Sequence, residues 1–457
     1  MHTCRRLVAS LTLTALALAG CASDDASDVD TLGADADADI DPEIDAGADG
    51  PADEAESDDA DEDTDAGEDD EFAEDEANED EPEDTGADEP EDTGADEPED
   101  TGADEPEIEL GDDTGDDQGS PFDGTEVAAA TAAVFEEFGS TSPGCAVGVL
   151  RAGERFVDAF GMADIDAGIA LEPDSIFDIG SVSKQLTAGA IALAVLDGDL
   201  SLDDDVTSLV DEIGPFDQVV TVADLIHHTS GLPDYTALLD ADDDEVTTNA
   251  DALATISGDG VALNFEPGAA FEYSNTNYVL MAEIVDRVSG QSLVEFSADR
   301  IFEPLGMSDS VVRDDQGELL EGQAQGYGDE SDSGDWQAIG SSWRQTGDGA
   351  VHATVDDLLT WAELFLPDAI EADGGIGSSQ WRALMLQPGP VADGGSAYAF
   401  GIGLEEDGEL LTHAGSWIGY SSSLAVRPAD DLAVAVACNI DLLDAHSLVA
   451  SVMDIWR

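Results

Sequence analysis

The chain has 457 residues, of which 109 are Asp or Glu and only 12 are Lys or Arg, giving a formal net charge of −97 at pH 7. Such a surface repels nucleic acid and anionic lipid headgroups, so DNA-binding and RNA-binding functions are excluded. Lys184 is the only lysine. Sparse lysine beside abundant acid suits a salt-rich habitat, and a GC-rich genome also depletes lysine; the sequence leaves both explanations open.

Residues 1–21 have the pattern of an export signal. Two arginines precede an apolar run, Leu7 to Ala19, which has the length of a signal-peptide core and is too short to span a membrane. The run ends in Leu-Ala-Gly-Cys21, which resembles the lipobox of bacterial lipoproteins. The resemblance implies an exported protein whose only membrane contact is the lipid on Cys21. Because Ala22 and not Asp follows, it favours the outer membrane if the source is Gram-negative.

Residues 22–118 are predicted to be a disordered acidic tether. The segment contains no Lys or Arg, and the unit Ala-Asp-Glu-Pro-Glu-Asp-Thr-Gly recurs in it. Such a composition cannot bury enough apolar surface to offset the entropy of ordering the chain. The rest, residues 119–457, is predicted to be one folded domain.

That domain shows strand patterns at both ends and helical patterns between them. The predicted elements in chain order are a helix at Thr125–Phe138, a hairpin of Cys145–Leu150 and Phe156–Phe160 around Ala152-Gly153, helices that include Tyr278–Val288 and Val355–Phe365, strands at Ala399–Leu404, Leu410–His413, Ser421–Val426 and Leu432–Ala437, and a closing helix at Asp444–Trp456. The pattern predicts an α/β (α+β) fold, in which one antiparallel sheet is built from both chain ends and a mainly helical subdomain is interposed. Cys145 and Cys438 fall in predicted strands, and either a disulfide or two buried thiols fits the pattern.

The first chemical motif is Ser181-Val-Ser-Lys184, at the start of a long apolar stretch that ends at Asp197-Gly198. The stretch is predicted to be a buried helix that begins at about Ser181. Residues i and i+3 share a helix face, so the Lys184 amine is expected to reach the Ser181 hydroxyl. A desolvated lysine can act as the base that a serine nucleophile needs. The alternative is a structural lysine paired with an acid such as Asp178.

Two further motifs follow along the chain. Tyr273-Ser-Asn275 comes after a Pro-Gly turn and precedes a helical pattern, so a phenol and a carboxamide are expected to meet at one cleft. Thr412-His413-Ala-Gly415-Ser416-Trp417 is expected at the end of a strand, where small residues let a backbone approach a ligand. Each of these two motifs also has an ordinary structural explanation, a capped helix start and a structural histidine.

Ser-x-x-Lys, Tyr-x-Asn and His-x-Gly in this order resemble the signature of class C β-lactamases, serine DD-peptidases and related esterases. The stretches around His227-His228-Thr-Ser-Gly, Phe302-Glu-Pro-Leu-Gly and Gly347-Asp-Gly look like the same family, and the resemblance covers roughly residues 125–457. It implies a β-lactamase/transpeptidase-like fold and an acyl-enzyme on Ser181. It further implies the following roles: proton transfer by Lys184 and Tyr273, substrate binding by Asn275, His413 and Gly415, and an oxyanion hole from the backbone N–H groups of Ser181 and Ser416.

The expected activity is that of a serine hydrolase of the β-lactamase or D-alanyl-D-alanine carboxypeptidase type. The expected substrate is a small molecule or peptide, and neither a metal nor a cofactor is expected. His413 stands where many β-lactamases have lysine, and no arginine lies between Arg382 and Arg427 to bind a substrate carboxylate. An esterase of the same fold and a penicillin-binding module without turnover therefore remain alternatives. The sequence leaves open whether Lys184 or Tyr273 is the general base.

Overall fold

The computed structural model describes residues 124–239, 247–257, 261–315, 317–329, 333–367, 369, 375–390, 392–393 and 396–457. The predicted signal peptide (1–21) with Cys21, and the predicted tether (22–118), lie outside these residues. Among the residues described, no helix is long and apolar enough to cross a membrane.

The strands of the described residues fall into one large sheet and three small ones. They are β1 (Cys145–Arg151), β2 (Glu154–Phe160), β3 (Met162–Asp164), β4 (Ile169–Ala170), β5 (Phe177–Asp178), β6 (Val311–Val312), β7 (Tyr327–Gly328), β8 (Gln337–Ala338), β9 (Val351–Ala353), β10 (Ala392–Asp393), β11 (Ser396–Tyr398), β12 (Gly403–Glu405), β13 (Leu410–Trp417), β14 (Tyr420–Arg427) and β15 (Leu432–Cys438). The large sheet is antiparallel, in the order β10-β11-β12-β13-β14-β15-β1-β2. β1 therefore pairs with β15, and the predicted sheet built from both chain ends is confirmed.

Helices pack against the sheet and form most of the interposed region. They are α1 (Gly124–Val134), α2 (Ser183–Asp197), α3 (Val206–Leu209), α4 (Val222–Ile226), α5 (Tyr235–Leu238), α6 (Asn249–Ile256), α7 (Asn275–Ser289), α8 (Leu293–Ser297), α9 (Glu303–Leu305), α10 (Val355–Glu363), α11 (Ser379–Met385) and α12 (Ala445–Trp456). α2 is buried from Ser183 to Ala194 and packs against α7 and α11. Burying each large apolar side chain in such a helix contributes about 2 kcal/mol. Gly198, with φ +84°, ends α2 where the Asp-Gly signal predicts.

The hairpin prediction is confirmed at its turn. β1 and β2 are joined by Ala152 (φ +50°) and Gly153 (φ +78°). Two consecutive residues with positive φ match the right-handed twist of the strands that they connect.

Two strand predictions are wrong in their bounds. Of the predicted strand Ala399–Leu404 only the last two residues are in a strand, because β11 ends at Tyr398 and β12 begins at Gly403. The chain turns between them with Gly401 at φ +70°, where a Cβ would lie 2.6 Å from the backbone of Lys184 and Gln185. The turn thus packs against the first turn of α2. His413 lies inside β13 and not at a strand end, because the strand continues to Trp417.

The two cysteines form a disulfide, which the sequence left open. Cys145 and Cys438 are directly opposite each other on β1 and β15, with Cα atoms 4.0 Å apart. Both residues are fully buried. The bond ties the first strand of the sheet to the last strand in the sequence.

Candidate active site

Ser181 lies in a 3₁₀ turn, Gly180–Val182, that leads directly into α2. Gly180 has φ +51°, and a Cβ there would come within 2.8 Å of the backbone nitrogen of Ser416. The turn is held by Asp178, whose Oδ1 accepts from Gly180 N at 2.8 Å. Asp178 otherwise faces His352, at 4.0 Å, and is not the ion-pair partner of Lys184. The predicted buried helix beginning at about Ser181 is confirmed.

The Lys184 amine is fully buried and has three oxygen neighbours. Nζ lies 3.1 Å from Ser181 Oγ, 2.9 Å from Asn275 Oδ1 and 2.6 Å from the backbone oxygen of Asp348. A carbonyl oxygen can only accept, so two N–H groups of the amine are committed to Asn275 and Asp348. The third position of the nitrogen faces the serine hydroxyl. It carries an N–H when the amine is charged and a lone pair when the amine is neutral.

Asn275, the first residue of α7, is hydrogen bonded to the carboxylate of Asp234 through both its backbone and its side chain. Asp234 Oδ2 accepts from Asn275 N at 3.2 Å and from Asn275 Nδ2 at 3.1 Å. Asp234 Oδ1 accepts from Thr236 N at 2.9 Å and from Thr236 Oγ1 at 2.8 Å, so the same carboxylate caps α5. All four contacts fix the side chain of Asp234, which in turn fixes Asn275.

A second carboxyl group, that of Asp348, is buried beside the amine. Its Oδ2 accepts from Tyr235 OH at 2.9 Å, whereas its Oδ1 has no hydrogen-bond partner among the described residues. Burial raises the pKa of Asp348 to about 6, against the opposing effect of the Lys184 charge. The site therefore contains a carboxyl group whose pKa is raised by burial.

His413 is hydrogen bonded at both ring nitrogens. Nδ1 lies 2.7 Å from the backbone oxygen of Ala414, which can only accept, so this nitrogen carries the proton. Nε2 then accepts from Tyr398 OH at 2.9 Å. Burial, followed by the charge of Lys184, lowers the pKa of His413 to about 3. His413 is neutral at physiological pH and supplies no positive charge to a substrate.

Tyr273 stands between the amine and a buried histidine. Its ring centroid lies 5.0 Å from Lys184 Nζ and 4.3 Å from the ring of His228. His228 Nδ1 accepts from Ser274 N at 3.2 Å, and Glu272 N donates to the His228 backbone oxygen at 3.0 Å. His228 therefore holds the chain on both sides of Tyr273. Burial lowers the pKa of His228 well below its usual value, in keeping with a ring nitrogen that accepts a hydrogen bond.

The end of β13 forms the other wall of the site. β12 pairs with β13 only at Leu410–Thr412, so within the described ranges the outer edge of β13 beyond Thr412 has no strand partner. Ser416 is exposed on this stretch, close to the Ser181 turn. At Gly415 any Cβ would overlap the backbone oxygen of Ile179, so the close approach of strand and turn requires glycine.

The family model for Beta-lactamase matches residues 131–450. The chain belongs to the beta-lactamase family. The predicted resemblance to this family and the predicted fold are confirmed.

One relative is "Penicillin-binding protein 4*" of Bacillus subtilis (strain 168). It is 31% identical to this chain over 283 residues, which cover 58% of this chain and 61% of that protein. A "D-aminopeptidase" of Gluconobacter oxydans (strain 621H) is 30% identical over 308 residues, covering 65% of this chain and 56% of that protein. This chain thus matches less than two thirds of either relative. The solved octameric penicillin-binding protein homologue from Pyrococcus abyssi has a TM-score of 0.63 and 26% identity, covering 73% of this chain and 77% of that one.

The structure brings together all the site residues predicted from the sequence: Ser181, Lys184, Tyr273, Asn275, His413, Gly415 and Ser416. Their roles stay predictions. Two acidic residues that none of the three motifs contains, Asp234 and Asp348, also approach the site from elsewhere in the chain. The signals for them were Pro233-Asp234-Tyr235, a helix start, and Gly347-Asp348-Gly349.

Proposed function

We propose that this chain is a serine hydrolase that cleaves amide bonds through an acyl-enzyme on Ser181. The observation that supports this proposal most directly is the 3.1 Å contact between Ser181 Oγ and Nζ of the fully buried Lys184. The two other contacts of Nζ are to oxygens that can only accept a hydrogen bond. When the amine is neutral, its lone pair faces the serine hydroxyl. Lys184 is therefore the proposed general base.

The proposed reaction proceeds in two halves. Ser181 Oγ attacks the substrate carbonyl carbon, and its proton passes to Lys184. The backbone N–H groups of Ser181 and Ser416 stabilise the resulting oxyanion. The carbon–nitrogen bond then breaks, and the leaving amine takes up a proton from the Lys184–Tyr273 pair. A water molecule next attacks the acyl carbon, the acid product forms, and Ser181 Oγ regains its proton.

The charges around the site favour a substrate without a carboxylate next to the scissile bond. His413 is neutral, both its nitrogens are hydrogen bonded within the protein, and the chain has no arginine between Arg382 and Arg427. D-alanyl-D-alanine and β-lactams carry a carboxylate there, whereas an amino-acid amide does not. The D-aminopeptidase relatives point the same way. The proposed substrates are amides of D-amino acids with a free amino group.

A substrate panel tests this proposal. Purified protein is assayed with D-alanine p-nitroanilide, its L enantiomer, nitrocefin, a peptide ending in D-Ala-D-Ala and p-nitrophenyl acetate, beside Ser181→Ala. The proposal predicts the highest kcat/KM for the D-amino-acid anilide and no turnover by the variant. Preference for nitrocefin or the D-Ala-D-Ala peptide would contradict the substrate class, and preference for the acetate would favour an esterase. Turnover by Ser181→Ala would contradict the nucleophile.

We also propose that the protein is exported and lipid-anchored to the cell envelope through Cys21, with the acidic segment 22–118 as a tether. The sequence pattern of residues 1–21 supports this proposal. Cys21→Ser should move the full-length protein from the membrane fraction to the soluble fraction of the cell envelope. Retention of the variant in the membrane fraction would contradict the anchor.

A further inference from the structure

The side-chain amide of Asn275 can be flipped by 180°, which exchanges the positions of Oδ1 and Nδ2. The two orientations differ in their effect on Lys184. In the observed orientation, Asn275 Oδ1 lies 2.9 Å from Lys184 Nζ and accepts a hydrogen bond from the amine. The third position of the Lys184 nitrogen then remains directed at Ser181. With Nδ2 toward Lys184, an N–H would repel the charged amine or occupy the lone pair of the neutral amine. Something must therefore select the first orientation.

Asp234 makes this selection. Its Oδ2 lies 3.1 Å from Asn275 Nδ2, and a carboxylate can only accept, so the amide must present Nδ2 to it and Oδ1 to Lys184. We propose that Asp234 is a positioning residue that fixes the amide of Asn275 and so keeps the lone pair of Lys184 directed at Ser181. This inference rests on the proposed function.

Two substitutions of Asp234 are predicted to rank in an unusual order. In D234N the oxygen of the new amide is expected to stay on the two Thr236 donors, because those contacts (2.9 and 2.8 Å) are shorter than the contacts to Asn275 N and Nδ2 (3.2 and 3.1 Å). Its NH₂ then turns toward Asn275, and the backbone N–H of Asn275 loses its acceptor. The Asn275 amide then flips to accept from this NH₂ and presents Nδ2 to Lys184. In D234A there is no donor, so Asn275 remains free to keep Oδ1 on Lys184. Acylation is therefore expected to fall about 100-fold in D234N and only about 10-fold or less in D234A.

Helix capping alone predicts the reverse order, because Asn is a good N-cap residue and Ala is a poor one. Asp205 provides a matched control. It caps α3 through Oδ1, which accepts from Thr207 N at 2.9 Å and Thr207 Oγ1 at 2.8 Å, the same distances as in the Asp234 cap. None of its hydrogen bonds involves Asn275. D205N and D205A should acylate within about twofold of the wild type.

The assay is the second-order rate constant for modification by a fluorophosphonate, which needs no knowledge of the natural substrate. The bond between Ser181 Oγ and phosphorus forms, fluoride leaves, and the hydroxyl proton passes to Lys184. The rate is measured for the wild type, both Asp234 variants and both Asp205 variants. D234N is also introduced into Asn275→Ala, where it should have an effect of no more than about twofold, because the amide through which it acts is gone. Thermal unfolding of each variant shows that it is folded.

The rate constant is expected to be highest for the wild type, lower for D234A and lowest for D234N. In the Asn275→Ala background, adding D234N is expected to cause no further decrease. D234N at least as fast as D234A, equal losses in the Asp205 variants, or an undiminished effect without Asn275 would overturn the positioning role. These outcomes leave the nucleophile assignment intact. A wild type that is not modified at Ser181 would instead overturn the proposed function.

Discussion

Asp348 should make the free energy of unfolding depend on pH. Replacing this residue by Asn should remove that dependence. The residue is 4% exposed, and its carboxyl group accepts one hydrogen bond from Tyr235 and has one oxygen without a partner among the described residues. Burial raises its pKa from 3.8 to about 6. The folded protein therefore holds this proton more tightly than the unfolded chain does. Asp348→Asn keeps the backbone oxygen that contacts Lys184 and stays neutral at every pH.

The size of the effect follows from the shift. About two pKa units correspond to about 3 kcal/mol. Because the folded pKa is the higher one, this contribution to the free energy of unfolding is fully present below about pH 4 and is lost as the pH rises through about 6. Asp348→Asn lacks that loss. Relative to the wild type, the variant should thus gain up to about 3 kcal/mol between pH 4 and pH 7.

Urea unfolding of both full-length proteins at pH 4, 5, 6 and 7 measures this difference. Other acids titrate in the same window but are common to both proteins, so they cancel in the comparison. Any constant cost of burying the new amide also cancels. Parallel stability curves for the two proteins across the whole range would refute the assignment of a raised pKa to Asp348.

Three further changes have expected outcomes. Replacing Cys145 and Cys438 by serine should lower the free energy of unfolding by about 2–5 kcal/mol, with denaturant unfolding as the measurement, and an unchanged midpoint would contradict the disulfide. Gly415→Ala should slow acylation at least about 10-fold, because the new Cβ would overlap the backbone oxygen of Ile179 and move β13 away from the Ser181 turn. A wild-type rate would contradict the need for this close approach. Deleting residues 30–115 should leave kcat/KM unchanged, and a large loss would assign the acidic segment to the chemistry.

The regular parts of this fold were predictable because local patterns decide them. Alternating and continuous apolar runs predict β1, β14 and β15, and Gly198 predicts the end of α2. The strand at Ala399–Leu404 was wrong because a tertiary contact overrides its apolar pattern. Gly401 lets the backbone turn against the first turn of α2, and that approach depends on residues more than two hundred positions away.

The same limit applies to the site. Ser181 and Lys184 are three residues apart on one helix, so their contact follows from helix geometry. Asp348 is 164 positions from Lys184, and Asp234 is 41 positions from Asn275. Sequence spacing alone does not show that either pair is in contact. The three motifs therefore predict the serine–lysine contact but not the two acidic residues beside it.

Lys184 is proposed to remove the proton of Ser181, and comparing Lys184→Arg with Lys184→Met tests this role most directly. A guanidinium keeps the positive charge but does not deprotonate in proteins, and a methionine removes both charge and base. The rate of fluorophosphonate modification at Ser181, mapped by mass spectrometry, should fall about 100-fold or more in both variants. A Lys184→Arg protein that reacts at the wild-type rate would show that only the positive charge is needed and would contradict the role of Lys184 as the base.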